Sequence, residues 1–422
     1  MNHPAQLSSP AVISSRPWWR EISQSQWYAL AAGQIGYALD AFDVMLYAFA
    51  IPAIMKDWQL SPTTAGFMIS VMLFASSAGG ILFGAVADRL GRKRAMMLTV
   101  LLFSICSGLS GLAQNLTQLA IARALLGLGM GGEWTAGALL ISETWPDRHR
   151  GKAIGIMQSG WAIGYIAAAV AAATILPWLG WRVMFFVGIA PALFTLWVRA
   201  KLDEPAIWIA QRGETQLGVV AGFLQIFRRD LLRNTVLATM VSAFVMFAYW
   251  GLFSWLPGYL ATPIDKGGVG LSVVKAPLWT IPMMIGAFFG YVTFGFVSDR
   301  LGRRPTFAIY LFVAAVLVFV FAQVRDPTTL LVLGPAVGFF GSGYFSAFGA
   351  LISELFPTRA RGAGVGFTYN TGRMASAMAP AVVGFVSVEY GFDVALILVA
   401  AAFGIAALGV FTLPETKGQR LA

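Results

Sequence analysis

The sequence has little of what enzymes use for chemistry: one cysteine and two histidines in 422 residues. Cys106, being single, cannot form a disulfide within the chain. The histidines, His3 and His149, lie far apart, and no stretch has the spacing of a metal cluster, a glycine-rich nucleotide loop or a nucleophile motif. We therefore expect no enzyme activity, no metal and no cofactor other than a proton.

Charged residues are also scarce. They make up 11% of the chain, whereas a soluble domain carries about 25%. Hydrophobic residues make up 58%, and the mean hydropathy is +0.73. One soluble core cannot bury so much apolar side chain, so the predicted solvent is a lipid bilayer. The net charge of +10 falls in short clusters between apolar runs, which argues against nucleic acid as a partner.

Apolar runs long enough to cross a bilayer, about 20 residues each, recur along the chain. They predict twelve transmembrane helices near 27–54, 64–87, 95–113, 117–145, 153–177, 182–199, 235–261, 275–298, 305–324, 328–356, 363–388 and 392–413. The predicted division is an N-terminal tail 1–26 without a signal-peptide core, a six-helix bundle 27–199, a central loop 200–234, a second bundle 235–413 and a tail 414–422.

Basic residues indicate the orientation. Most of those between the runs fall on alternate loops, and the remaining loops hold only Lys56, Arg182, Lys266, Lys275 and Arg325. The positive-inside rule places the arginine-rich loops and both termini in the cytoplasm. The expected location is the inner membrane of a bacterium, crossed many times.

An internal repeat predicts the architecture. The segment 84–92, GAVADRLGR, returns as 295–303, GFVSDRLGR, so Asp88 and Asp299 are 211 residues apart (299 minus 88). Ile-Ser-Glu ending at Glu143 returns at Glu354 with the same offset, 354 minus 143. The chain is therefore predicted to be an all-α membrane protein of two similar six-helix halves, with a cleft between them at mid-membrane.

These motifs carry a family resemblance. The DRLGRKR and DRLGRR loops, the Arg123-x-x-x-Gly127 pattern and the Pro-Glu-Thr-Lys-Gly segment 414–418 resemble the major facilitator superfamily over residues 27 to 418. Residues 36–43, GYALDAFD, and 369–373, YNTGR, are similar to sialate and monocarboxylate proton symporters. Aromatic-acid proton symporters share a similar acidic pair and arginine. The resemblance implies a secondary transporter working by alternating access.

Five charged residues stand inside apolar runs, where each costs roughly 2.5–3.5 kcal/mol on insertion scales. They are Asp40, Asp43, Arg123, Glu133 and Arg373. Asp40 and Asp43 are three residues apart and share a helix face. Because like charges so close repel, this pair suits proton coupling, and Glu133 is a third candidate. Whether any of the three only bonds a neighbouring helix stays open at this point.

Arg373 is the predicted substrate contact. Its guanidinium is a rigid fork that matches a carboxylate, although permanent pairing with a buried acid is the alternative. Tyr369 and Asn370 add polar donors at the same depth and favour the substrate-binding role. Other polar or aromatic candidates for the cleft, each more often an interhelical contact than a ligand group, are Gln34, Tyr37, Gln158, Tyr165, Tyr249 and Trp250.

The repeated charges at the loops are predicted to form a cytoplasmic ion-pair layer that acts as a gate, as the resemblance implies. Its members would be Asp88, Arg89, Arg92, Glu143, Arg148, Arg150, Glu204, Asp299, Arg300, Arg303, Glu354, Arg359, Arg361 and Glu415. Arg123 is grouped with these ion-pair residues, with packing of the fourth helix and charge balance as its expected role.

The function predicted from these features is proton-coupled symport of a small organic acid anion by a monomer, with lactate or pyruvate favoured. Sialate or aromatic-acid symport is the alternative, and so is metabolite or drug antiport. Antiporters of the superfamily carry a glycine–proline pattern in the fifth helix, and here no proline follows Gly164 at that point. An uncoupled facilitator would not need Asp40 and Asp43.

Overall fold

The computed structural model describes residues 17–206, 209, 224–272 and 274–416, apart from the side chains at 88, 147, 148, 199 and 358–363. All regular secondary structure within these ranges is helical. The α-helices are α1 (Gln24–Trp58), α2 (Pro62–Leu90), α3 (Arg92–Leu112), α4 (Leu116–Thr144), α5 (Asp147–Val187), α6 (Phe194–Lys201), α7 (Arg229–Ala261), α8 (Lys275–Leu301), α9 (Arg303–Gln323), α10 (Pro327–Ser342), α11 (Phe345–Glu354), α12 (Thr358–Ser376), α13 (Ala379–Tyr390) and α14 (Phe392–Val410).

Polar caps fix where several helices begin. The side chains of Ser23, Ser61, Asn115 and Asp326 each accept a hydrogen bond from a backbone N–H in the first turn of α1, α2, α4 and α10. Such caps satisfy donors that have no partner inside the helix. The hydropathy pattern placed these four starts within three residues, because each cap lies where the apolar run begins.

Ten stretches among the described residues are long and apolar enough to span a membrane. One of them contains two predicted spans, because α5 changes direction at Gly180 (φ 75°, ψ 174°). The pair α12–α13, interrupted at 377–378, is a further predicted span that is not among the ten. With both included, the described helices make the twelve predicted passes of an all-α membrane protein.

Some boundaries differ from the prediction. The spans predicted as single helices at 328–356 and 363–388 are interrupted by two-residue turns, at 343–344 and 377–378. Helix α7 begins at Arg229, so part of the predicted central loop is helical. Hydropathy misses the two turns because they consist of the same small and apolar residues as the helices around them. It misses the start of α7 because that first turn is polar.

The repeat is present in the backbone. Gly91 joins α2 to α3 with φ 106° and ψ 156°, and Gly302 joins α8 to α9 with φ 107° and ψ 157°. This region of dihedral space strongly favours glycine. The two halves therefore turn their DRLG loops in the same way.

The halves pack closely through small residues. Gly66 of α2 lies against the carbonyl of Pro380 in α13, and Gly384 lies against the carbonyl of Pro62. On the opposite side of the membrane, Gly155 of α5 faces the carbonyl of Tyr291 in α8. Small residues at such crossings let helix backbones approach. The structure thus has its halves closed together at both ends.

Candidate functional site

A small cavity lies between the halves near the middle of the membrane helices. Five of its lining residues were predicted from the sequence, namely Tyr37, Tyr249, Trp250, Tyr369 and Arg373. The other five, Met130, Trp161, Met246, Tyr291 and Phe345, were not. The cavity volume is about 30 Å³, which is room for about one water molecule. The halves must therefore separate for any organic solute to enter.

Arg373 is the charged group of this cavity. It sits in the last turn of α12, next to the interruption before α13, and only 6% of it is exposed. No carboxylate among the described residues lies within ion-pair distance of its guanidinium. The alternative of permanent pairing with a buried acid therefore finds no support in the described part of the chain. A buried, charged fork without a fixed partner is suited to bind a carboxylate.

Aromatic rings make up most of the wall. Trp161 contacts Tyr37 at a centroid distance of 5.2 Å and Trp250 edge-on at 5.6 Å. The Trp161 indole N–H is buried and has no hydrogen-bond acceptor among the described residues. The cavity thus combines flat aromatic walls, tyrosine hydroxyls and a buried indole donor with one cation.

Four predicted binding residues do not line the cavity. Gln34 donates to Ser159 (3.1 Å), Asn370 to the Gly366 carbonyl (2.9 Å) and Tyr165 to the Phe253 carbonyl (3.2 Å). Gln158 accepts from the Trp134 indole (3.1 Å) and donates to the Phe345 carbonyl (3.4 Å). The contacts of Gln34, Gln158 and Tyr165 fit the interhelical role that the sequence left open for them, whereas Asn370 bonds the backbone of its own helix.

All three candidate acids are buried in the N-terminal half. Asp40 and Asp43 on α1 are 0% exposed, and Glu133 on α4 is 1% exposed. A Ser107 hydroxyl donates to Asp43 (2.8 Å), and a Thr99 hydroxyl donates to Glu133 (3.0 Å). Both oxygens of Asp40 are buried without a hydrogen-bond partner among the described residues.

Arg123 lies near Asp40 and Asp43, inside the N-terminal half and away from the predicted gate. It is 0% exposed, its guanidinium covers the ring of Tyr47 at 4.9 Å, and it contacts the Met72 sulfur at 3.1 Å. It stands in the second turn of α4, whereas the predicted gate residue Glu143 is at the other end of that helix. Charge balance inside the N-terminal half is the role this position supports.

The predicted gate residues form matching ion pairs in the two halves. Arg92 pairs with Glu143 at 2.6 Å, and Arg303 pairs with Asp299 at 2.7 Å and Glu354 at 3.5 Å. Each of these pairs joins helices of one half. They hold the ends of α3 against α4 and of α9 against α11, which stiffens each half as a unit.

Two further acids cap helices in the same pattern. Glu204 accepts from the backbone N–H of Lys93 (3.2 Å), and Glu415 accepts from Arg303 (3.0 Å) and Arg304 (3.1 Å). A carboxylate at a helix N-terminus is stabilising.

The other predicted gate residues are exposed, half-buried or outside the described part of the chain. Arg89 and Arg300 are exposed at the ends of α2 and α8, and Arg150 is half-buried in the first turn of α5. The predicted members whose side chains lie outside the described part of the chain are Asp88, Arg148, Arg359 and Arg361.

The chain belongs to the Major Facilitator Superfamily, whose profile matches residues 35–293 and 264–422. A putative metabolite transport protein of Haemophilus influenzae is 35% identical over 410 residues, covering 95% of this chain and 99% of the relative. A probable 4-methylmuconolactone transporter of Cupriavidus pinatubonensis is 36% identical over 409 residues, covering 95% and 93%. A sialic acid transporter of Escherichia coli is 32% identical over 388 residues, covering 92% and 93%.

The fold is also that of solved transporters. The crystal structure of a D-xylose–proton symporter matches with a TM-score of 0.75 at 21% identity, covering 94% of this chain and all of that one. Sequence and fold therefore agree on a multi-pass membrane transporter built from two six-helix halves.

Proposed function

We propose that this protein is a secondary transporter that carries a small organic acid anion together with protons by alternating access. The observation that carries the proposal is Arg373, a buried guanidinium without a fixed carboxylate partner among the described residues, in a cavity between the two halves. A carboxylate bound there would contact both halves, so its binding would favour the closed arrangement.

The shape of the cavity bears on the substrate class. Trp161, Trp250, Tyr37 and Tyr369 offer flat faces around the cation, which suits a carboxylate on an unsaturated or cyclic carbon frame. The relative named as a 4-methylmuconolactone transporter agrees with such a substrate, and the relative named as a sialic acid transporter keeps that acid as the second candidate. Lactate and pyruvate, favoured from the sequence, would use the arginine but little of the aromatic wall.

The proposed direction and topology follow the charge pattern. With the arginine-rich loops and both termini in the cytoplasm of a bacterium, protons entering down their gradient would drive uptake of the acid. The buried acids of α1 and α4 provide proton-binding groups beside the path.

Uptake by proteoliposomes tests the proposal. Labelled muconolactone, benzoate, sialate, lactate and pyruvate are each supplied with and without an inward proton gradient. We expect gradient-driven accumulation of an unsaturated or cyclic acid, lost in Arg373→Ala. Uptake that ignores the gradient, or that needs an internal exchange solute, would exclude symport and leave facilitated diffusion or antiport.

A further inference from the structure

The three buried acids differ in their neighbours. Asp43 has a fixed neutral donor in Ser107, at 2.8 Å, and a charged neighbour in Arg123, while its second oxygen is buried without a hydrogen-bond partner among the described residues. Arg123 in turn has Asp43 and Asp40 as its acidic neighbours, and it has no ion-pair partner within bonding distance among the described residues. Asp43 and Arg123 thus balance each other inside the N-terminal half, where either charge alone would be costly.

Asp40 and Glu133 lie next to each other. One oxygen of Glu133 lies directly against Gly36 of α1, at the place where a side chain would begin. Gly36 and Asp40 are four residues apart, so they occupy one face of α1 and the two carboxyl groups are neighbours. Both oxygens of Asp40 and that oxygen of Glu133 are buried without hydrogen-bond partners among the described residues, whereas the other Glu133 oxygen accepts from the Thr99 hydroxyl at 3.0 Å.

Such a pair is unstable when both members are ionised. An unpaired carboxylate in a protein interior costs several kcal/mol, and two close together also repel each other. Gaining a proton removes a buried charge and turns an oxygen into a donor for the neighbouring carboxyl group. The groups around Asp40 that carry or can carry charge are Glu133 and Arg123 on α4, Asp43 and Tyr37 on α1 and Arg373 on α12.

On the basis of the proposed symport, we propose that the coupled proton binds at the Asp40–Glu133 pair, whereas Asp43 stays ionised as the partner of Arg123. The proton comes from the outer solution to a carboxyl oxygen of the pair and leaves to the cytoplasm. No other bond is made or broken.

Arg373 provides the connection to the substrate. It lines the central cavity and is also one of the charges felt by Asp40, which does not itself line that cavity. When the substrate carboxylate binds Arg373, it offsets the positive charge that stabilises an ionised Asp40, and the pair then favours its proton. When the anion leaves, the charge of Arg373 is exposed to Asp40 again and the proton is released. Anion and proton therefore favour each other's binding, and by linkage the effect is reciprocal.

The test separates coupling from binding. Asp40→Asn and Glu133→Gln are reconstituted and compared with the wild type in two assays, accumulation driven by a gradient of one pH unit and counterflow at equal pH. One coupled proton supports about tenfold accumulation across that gradient. With both variants, we expect the substrate to reach only equal concentrations inside and outside the proteoliposomes, while counterflow continues.

Asp43→Asn gives the matched comparison. We expect it to lower thermal stability, because Arg123 loses its charged neighbour, while the uptake that remains still follows the pH gradient. Gradient-driven accumulation in both Asp40→Asn and Glu133→Gln, with its loss in Asp43→Asn, would place the proton at Asp43 and overturn the proposal. A wild-type protein that transports without responding to the gradient would instead refute the proposed function.

Gly36→Ala adds a variant in which no charge is removed. The new methyl group takes the place of the Glu133 oxygen and pushes that flexible carboxyl group away from the Asp40 face. We expect it to lose accumulation and keep counterflow, whereas Gly349→Ala, with nothing within 4 Å of the added carbon, behaves as the wild type. Full accumulation in Gly36→Ala would contradict a pair that depends on this contact.

Discussion

Trp134 and Tyr369 stack across the boundary between the two halves, with ring centroids 4.6 Å apart and ring planes inclined by 3°. The Trp134 indole also donates to Gln158, which donates to the Phe345 carbonyl in the other half. Tyr369 is four residues before Arg373 on α12, so the stack lies one helical turn from the cavity's cation. On the predicted orientation, it closes the cavity toward the cytoplasm.

Trp134→Ala should therefore favour the state that is open to the cytoplasm. A stacked aromatic pair is worth about 0.5–1.5 kcal/mol, so the population should shift by roughly two- to twelvefold. The measurement is the rate of maleimide labelling of a cysteine introduced at Ser346, which lines the cleft on that side, in a Cys106→Ser background. Trp134→Phe keeps the stack without the indole donor and should label at an intermediate rate. Equal rates in all three proteins would show that the stack does not close the cavity.

Arg373 is expected to dominate substrate affinity. Removing one partner of a buried charge pair, here that of Arg373 with the bound carboxylate, costs about 2 kcal/mol or more. Arg373→Ala should therefore raise the dissociation constant of the transported acid at least about 30-fold. Arg373→Lys keeps the charge but loses the two-pronged geometry, so its dissociation constant should lie between those of the wild type and Arg373→Ala. Calorimetric titration of the purified protein measures the effect.

The matched control is Arg325→Ala. Arg325 lies at the outer rim, where it pairs with Asp393 at 3.3 Å, and is not part of the central cavity. Its loss should leave the dissociation constant unchanged. Equal affinity in Arg373→Ala and the wild type would remove Arg373 from the site.

Features that depend on composition or repetition could be predicted from the sequence. The spans follow from hydropathy, and the two halves follow from the repeated DRLG and Ile-Ser-Glu segments. Buried ions such as Arg373 and Glu133 were identifiable because lipid penalises each charge. Several buried charged residues in one membrane bundle therefore indicate a functional site.

The aromatic wall could not be predicted in the same way. Trp161 and Tyr291 lie in helices that are apolar on most faces, so no periodic pattern separates a cavity-facing ring from a lipid-facing one. Tyr165 and Gln34 carry the same chemistry as cavity residues, yet helix rotation turns them toward Phe253 and Ser159. Whether a side chain points into the cavity depends on how the helices pack, and a single sequence does not reveal that packing.

Gly180 should be sensitive to substitution for a purely conformational reason. Its φ of 75° and ψ of 174° lie in a region that is essentially restricted to glycine, and nothing lies within 4 Å of an added carbon. The cost of Gly180→Ala is thus conformational, about 1–3 kcal/mol, and should lower the unfolding temperature measured by thermal shift. Gly404→Ala adds the same methyl group to α14 in open space and should leave that temperature unchanged or raise it. Equal temperatures for the two variants would mean that the bend in α5 relaxes without strain.

The charge balance of the site predicts electroneutral transport of a monoanion. The Asp43–Arg123 pair contributes no net charge in either state, and one proton at the Asp40–Glu133 pair accompanies one carboxylate at Arg373. No net charge should then cross the membrane in a cycle.

Uptake into proteoliposomes should rise and fall with the proton gradient but stay constant when a potassium diffusion potential of either sign is set with valinomycin. Sialate and other monoanions should behave alike, whereas a dicarboxylate carried with one proton should respond to the potential. Strong stimulation of monoanion uptake by an inside-negative potential would require a second proton, bound either by the second carboxyl group of the Asp40–Glu133 pair or by Asp43.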